Sequence, residues 1–246
     1  MPLTQPLKRT WRPFSVGAET SYWYMHHPDF ASNPIHFIRA FEVLQKDLIE
    51  LFDSIEPADS NEATYSYRVH GLLMRACIEV EANFKAIAND NALFTGAQLS
   101  MSGHYFQFNR SHHLSSYEVM MPVWTGAKNI RKPFALWSSG AYSPLPWYQA
   151  YNNSKHDRQS AFDQAHLGHL VDAICGLSVL LSAQFYTLDF SLHQGYVGLS
   201  GPPGYESAIG SYFLVKFPGD WADNDCYSFD SKKLKSVPHP IDNLLI

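Results

Sequence analysis

The residues best equipped for chemistry lie in one string, Trp147-Tyr-Gln-Ala-Tyr-Asn-Asn-Ser-Lys-His-Asp-Arg158. It carries an imidazole at His156, cations at Lys155 and Arg158, and Asn152 four residues before His156, one helical turn up the same face. A histidine can take or give a proton near neutral pH, and neighbouring cations can meet an anion. The same residues also make sense as a polar network at a helix end. In that arrangement Asp157 pairs Lys155 or Arg158, and Trp147 and Tyr151 belong to the core.

Other chemistry-bearing patterns are weaker. Asp163, His166 and His169 recur at a spacing of three, and with Glu79 or Glu81 from another helix they would form a carboxylate–histidine set in a bundle. The paired Glu-x-x-His motif of di-iron bundles is absent, so polar contacts between helices are the expectation, with no metal and no cofactor. His26-His27 and His112-His113 are adjacent pairs whose side chains diverge on a helix or strand. No Gly-x-Ser-x-Gly elbow appears. Gly198-Leu-Ser-Gly-Pro-Pro-Gly204 lacks the Lys-Ser/Thr ending of a phosphate loop and reads as a turn. The three cysteines, Cys77, Cys175 and Cys226, are far apart and form no CxxC pair, which points to free thiols in a reducing cytoplasm.

Charge is unevenly spread. The chain has 23 acidic and 18 basic residues, a net −5, yet residues 101–160 hold six basic residues against two acidic ones. The basic ones are Arg110, Lys128, Arg131, Lys132, Lys155 and Arg158, and Trp124, Trp137, Trp147 and Tyr148 lie among them. Cations that track phosphates, interleaved with rings that stack on bases, are the composition of a single-strand nucleic-acid surface. The alternative is that the rings are core and the cations scattered. Lys8, Arg9 and Arg12 read as a solvated end.

These residues must be positioned by a chain of 246 residues, 46% hydrophobic and 15% aromatic, long enough to bury a large core without staples. Asn33-Pro34 opens a helix whose apolar residues Ile38, Phe41, Leu44, Leu48 and Leu51 form one stripe, ending near Ile55 before Glu56-Pro57. A second helix is expected from about Ala63 to Asn89, a third from Pro146, and a fourth from about Ser160 to Leu188. Between them, Tyr105-Phe-Gln-Phe and Tyr117–Trp124 look like short strands of a β insert, and Tyr212–Phe217 like another strand. The most apolar stretch, Ala173–Phe185, is shorter than a membrane span, and the first residues lack the apolar core of a signal peptide, so no membrane is expected.

The string Tyr151-Asn-x-x-Lys-His-Asp-Arg158, preceded by an aromatic pair and followed by a long apolar helix, resembles a segment of HEPN-like helical proteins. Arg75-Ala-Cys-Ile-Glu-Val-Glu81 with Lys85 is similar to the helix before it there. The resemblance covers roughly residues 33–90 and 145–189. It implies a mainly α protein, an antiparallel helical bundle over 33–189. The small β-containing insert at about 91–145 is read instead from the lost helical pattern there, since a structureless loop that long is improbable in a compact domain. An irregular arm (1–32) and an irregular C-terminal extension (190–246) packed on the bundle complete the expectation. The resemblance further implies a homodimer that contacts RNA or nucleotides, through Lys155, Arg158, Trp147 and Tyr151. Catalytic members use an Arg, four to six residues, then a His; here His156 matches the histidine, Asn152 lies one turn before it, and Tyr151 stands at the nearest position where the arginine belongs. A non-catalytic or weakly catalytic RNA-associated module is therefore expected. The alternatives are a metal-independent endoribonuclease centred on His156 and a structural interaction module.

Overall fold

Pro34 and Pro146 open two helices where the sequence places them, because proline at the first helical position gives up no needed hydrogen bond. In the computed structural model, which describes residues 1–190 and 201–246, the helices are α1 (Pro34–Phe52), α2 (Tyr67–Asp90), α3 (Phe108–His112), α4 (Pro146–His156), α5 (Arg158–Ala161), α6 (Leu167–Phe185) and α7 (Ser231–Leu234). Strands β1 (Glu118–Met120), β2 (Ile130–Arg131), β3 (Glu206–Ser207) and β4 (Leu214–Lys216) form one small antiparallel sheet in the order β2-β1-β4-β3. The protein is mainly helical.

A helix that is apolar on every side belongs in the interior, and α6 is that helix. Every residue of it except His169 and Asp172 is buried. α2 packs along it most extensively, α1 and α4 flank it, and β1 touches a further side. The stripe of α1 (Ile38, Phe41, Leu44, Leu48, Leu51) and that of α2 (Val69, Leu73, Ala76, Val80, Phe84, Ile87) are both buried, as their spacing requires. At 19 residues α6 is longer than the apolar stretch read from sequence, and by length and composition alone it could cross a bilayer, but 89% of its apolar window is enclosed by protein.

Several element boundaries differ from expectation, each for a local reason. Asn33 does not cap α1 through its side chain; it sits at φ 50° in the left-handed region. α2 begins at Tyr67 rather than Ala63 because Ser66 Oγ accepts from the Val69 N–H at 3.2 Å. Tyr105–Phe108 is helical, not a strand, since a spacing of three sets both Tyr105 and Phe108 against Phe84, with ring centroids 4.9 and 5.9 Å away. β1 pairs with β2 instead, Val119 opposite Arg131. The last long helix starts at Leu167, not Ser160. Asp157 caps α5 by accepting from the Ser160 N–H at 3.2 Å, and a 3-10 turn at Phe162–Gln164 breaks the run.

The two ends are more deeply built in than their composition suggests. β4, from the C-terminal extension, pairs with β1 (Val119 opposite Val215), so the extension completes the sheet rather than only packing on the bundle. Leu3 and Phe14 both bridge Tyr227, and Leu7 bridges Asp242. Arg9 and Arg12 are buried, which corrects the expectation of a solvated end. Arg9 pairs with Asp90 at the end of α2 and donates to Gln184 Oε1 at 3.0 Å, with Phe37 4.7 Å beneath its guanidinium. Arg12 reaches Asp225 Oδ1 at 3.2 Å.

Glu118 ties the sheet together. Lys132 Nζ lies 2.7 Å and Lys216 Nζ 3.5 Å from its Oε1, and the Tyr205 hydroxyl donates to its Oε2 at 2.7 Å. Burial by itself raises the carboxyl pKa, but the bonds from Lys132 and Tyr205 and the two ammonium charges outweigh it and bring the value down to about 2. A depressed carboxylate stabilises the fold above its unfolded pKa of about 4.5 and loses that contribution as pH falls toward 2. With both lysines half exposed and screened, the contribution is about 2 kcal/mol at neutral pH. Glu118→Gln is accordingly expected to lower stability by that amount at pH 7 and to flatten its decline below pH 4.5. Urea midpoints measured across a pH series check this, and parallel curves for wild type and variant would contradict it.

Candidate nucleic-acid interface

α4 turns its aromatic residues inward. Trp147 is buried, its indole N–H donating to the Pro133 carbonyl at 3.0 Å and its ring edge-on to Phe134. Tyr151 is buried too; Lys155 Nζ donates to its hydroxyl at 3.1 Å and lies 5.0 Å from its ring centroid. Neither ring has a face free for a base, which corrects the expectation that Trp147 and Tyr151 bind nucleic acid directly. Asp157 pairs neither Lys155 nor Arg158, being committed to the cap of α5. Lys155, His156 and Arg158 are exposed, and Asn152 is half-buried. Among the described residues, His156 and Asn152 have no hydrogen-bonding side-chain partner, and no carboxylate pairs with Lys155 or Arg158.

The remaining cations of the basic window do not join them. Lys128 pairs with Glu62. Arg131 Nη1 lies 2.7 Å from Glu62 Oε1 and 3.3 Å from Asp172 Oδ1, with its guanidinium 4.7 Å over the Trp124 ring. Lys132 is held by Glu118. Arg110 lines a different cleft, beside Phe106 and Asn109. Much of the local charge excess is thus cancelled by acids, two of which (Glu62 and Asp172) come from outside the window.

A different set of aromatics lies next to the end of α4. Tyr65 and Tyr67, flanking the cap residue Ser66, are 51% and 72% exposed. Ser66 is extended, with φ −162° and ψ 168°, and side chains two apart along an extended chain share a side. Phe162 sits against both, its ring centroid 5.7 Å from Tyr65 and 4.8 Å from Tyr67. The Arg158 guanidinium lies 5.7 Å over the Tyr67 ring. Asn153 Nδ2 donates to Gln164 Oε1 at 2.8 Å and so fastens α4 to the turn that carries Phe162. On the other side, Tyr65 makes a β-bridge with His166, and the Leu167 N–H donates to the Thr64 carbonyl at 2.8 Å. The starts of α2 and α6, each the positive end of a helix dipole, thereby meet the cationic end of α4. The sequence does not single out Tyr65 and Tyr67, and it marks Phe162 only as the residue that follows the string. The available signal was the alternation Tyr65-Ser-Tyr67 immediately before a helix, two rings on one side of an N-cap.

The alternative constellations are dispersed. His166 and His169 stack at 3.9 Å, but Glu81 accepts from Tyr148 and Glu79 lines a cleft between α1 and α2, so the carboxylate–histidine set does not assemble. Among the described residues no three His, Cys, Asp or Glu side chains converge on a metal-sized point. His112 is buried, 3.0 Å from the Arg9 carbonyl, and burial lowers its pKa to about 4; its neighbour His113 turns away to Asp220 at 3.0 Å. All three cysteines are free and buried. Of the glycine-rich string, residues 198–200 lie outside the described residues, and 202–204 form a bend and turn.

Fold and site together define a mainly helical protein with a four-stranded antiparallel sheet and an exposed aromatic–cationic end. No protein family, curated protein or solved structure matches the chain.

Proposed function

We propose that this chain is a HEPN-like module that binds single-stranded RNA or nucleotides, works by binding rather than by cleavage, and acts as a homodimer. The observation that carries this reading is Tyr67, whose largely exposed ring has Arg158 over it and Phe162 beside it. A ring so placed can stack on a base while Arg158, Lys155 and His156 meet phosphates, and each such stack is worth about 1–3 kcal/mol. Support for binding over catalysis comes from His156. An acid–base histidine needs a partner that fixes its tautomer and orientation, and here neither Asn152 nor any other described side chain supplies one. The upstream arginine of catalytic members is also missing. Support for the homodimer is a cleft of about 350 Å³ between α1 and α2, where Val43 and Ile78 are each 52% exposed. Arg39, Arg75 and Glu79 around it offer charges of both signs to a second copy. Free buried cysteines suit a reducing cytoplasm.

Incubating labelled mixed-sequence single-stranded RNA with the protein in EDTA tests both halves. The expected result is saturable binding that weakens roughly tenfold between 50 and 200 mM salt, as two or three phosphate contacts require, with the RNA length unchanged. Absence of binding by folded protein would overturn the reading. Metal-free cleavage that disappears in His156→Ala would replace it with an endoribonuclease centred on His156 and Asn152.

A further inference from the structure

His166 closes the first turn of α6 with an unusual acceptor. Its imidazole Nδ1 accepts the His169 N–H at 3.4 Å, a role that Ser, Thr, Asp or Asn normally fills. An imidazole nitrogen accepts only while it carries no proton. Protonation at Nδ1 therefore removes the cap and sets a positive charge at the positive end of the helix dipole. It also sets that charge against the His169 ring, stacked 3.9 Å away.

The groups facing His166 decide whether this matters. Asp163 on its own turn, and Glu62 with its backbone carbonyl, favour the charged ring. Glu62, however, is already engaged by Lys128 and Arg131, and Arg131 in turn is shared with Asp172. Burial first, and His169 second, prevail and hold the His166 pKa below its ordinary value. Just behind this cap lies the docking of α6 onto the segment that leads into α2. The Leu167 N–H donates to the Thr64 carbonyl at 2.8 Å, the Gly168 N–H to the Glu62 carbonyl at 3.0 Å, and Tyr65 bridges His166 itself.

We propose that His166 is a proton-operated latch: unprotonated, it holds the start of α6 against residues 62–65, and on taking a proton from solvent it releases that segment, so that the Tyr65–Tyr67 face loses its backing. The direction follows from linkage. A histidine whose folded-state pKa is depressed favours the docked state above the ordinary imidazole pKa of about 6.5 and opposes it below. That the released face is the RNA-binding one rests on the function proposed above; the latch itself does not.

Amide hydrogen exchange at Leu167 and Gly168, corrected for intrinsic rates and compared at pH 7.5 and 5.5, tests the latch. Wild type is expected to lose protection at both amides at the lower pH. His166→Ser, a cap that does not titrate, is expected to keep it, with His166→Asn as the second choice should the serine variant fold poorly. His169→Gln is expected to retain most of the pH effect. Equal protection at both pH values in wild type, or an undiminished loss in both cap variants, would overturn the latch. RNA binding measured at pH 7.5 in the same samples separates the two claims: its absence sinks the functional reading, while a pH-dependent exchange still upholds the latch.

Discussion

Asp90→Asn is expected to cost about 3–5 kcal/mol of folding stability, because it leaves the Arg9 guanidinium charged and unpaired inside the protein. Arg9 is fully buried, with Phe37 and Phe185 against its guanidinium and Gln184 and the Ser32 carbonyl accepting from it. Asp90 supplies the only carboxylate that pairs with it among the described residues, and it also accepts the Ser32 N–H at 2.9 Å. The substitution preserves shape and removes charge alone, so the loss measures the unpaired cation rather than a cavity. Against a total stability of about 5–15 kcal/mol for a domain, that is a large fraction, visible as a shift of the urea midpoint. Removing both members at once, as Arg9→Met with Asp90→Leu, is expected to recover much of it, since no charge is then stranded. The exposed pair of Arg75 and Asp47 offers the contrast: Arg75→Gln is expected to change stability by less than about 1 kcal/mol. A cost for Asp90→Asn as small as that would show that Arg9 has access to water and that the arm is only loosely held.

How much of this was legible in the sequence depends on the range of the interaction that decides it. The stripes of α1, α2 and α6 are local patterns, and the structure buries them as their spacing demands. Pro34 and Pro146 mark helix starts because proline acts on its own backbone. Tyr105–Phe108 misled because alternating aromatics favour a strand locally, while the tertiary partner Phe84 selects a helical spacing. Arg9 could not have been recognised as buried, since its partners Asp90 and Gln184 are 81 and 175 residues away. The site was half legible. The string from Trp147 to Arg158 does carry exposed cations at the end of a helix, but which of its rings face solvent depends on where α6 and Phe134 lie, and those cover Trp147. Tyr65 and Tyr67 joined the site through Phe162 and Arg158, contacts that span more than 90 residues of chain and leave no local trace beyond the alternation around Ser66.

Replacing both tyrosines is the second change expected to have a large effect. Tyr67 occupies the first position of α2 and Tyr65 touches α6 through its backbone, so truncating two exposed rings disturbs little of the core. Surface substitutions of this kind usually move stability by about 0.5 kcal/mol or less. Loss of one stacked base costs about 1–3 kcal/mol of binding, or roughly fivefold to 150-fold in affinity. Arg158, deprived of the Tyr67 ring beneath it, is also left less well placed for a phosphate. Lys132, held by Glu118 in the sheet, makes a suitable comparison because its charge is already matched. The decisive measurement is the equilibrium affinity for labelled single-stranded RNA of wild type, Tyr65→Ala with Tyr67→Ala, and Lys132→Ala, at one fixed salt concentration. A fall of at least tenfold in the double variant, with Lys132→Ala near wild type, is the expected result; equal affinity across all three would place the RNA surface elsewhere on the protein.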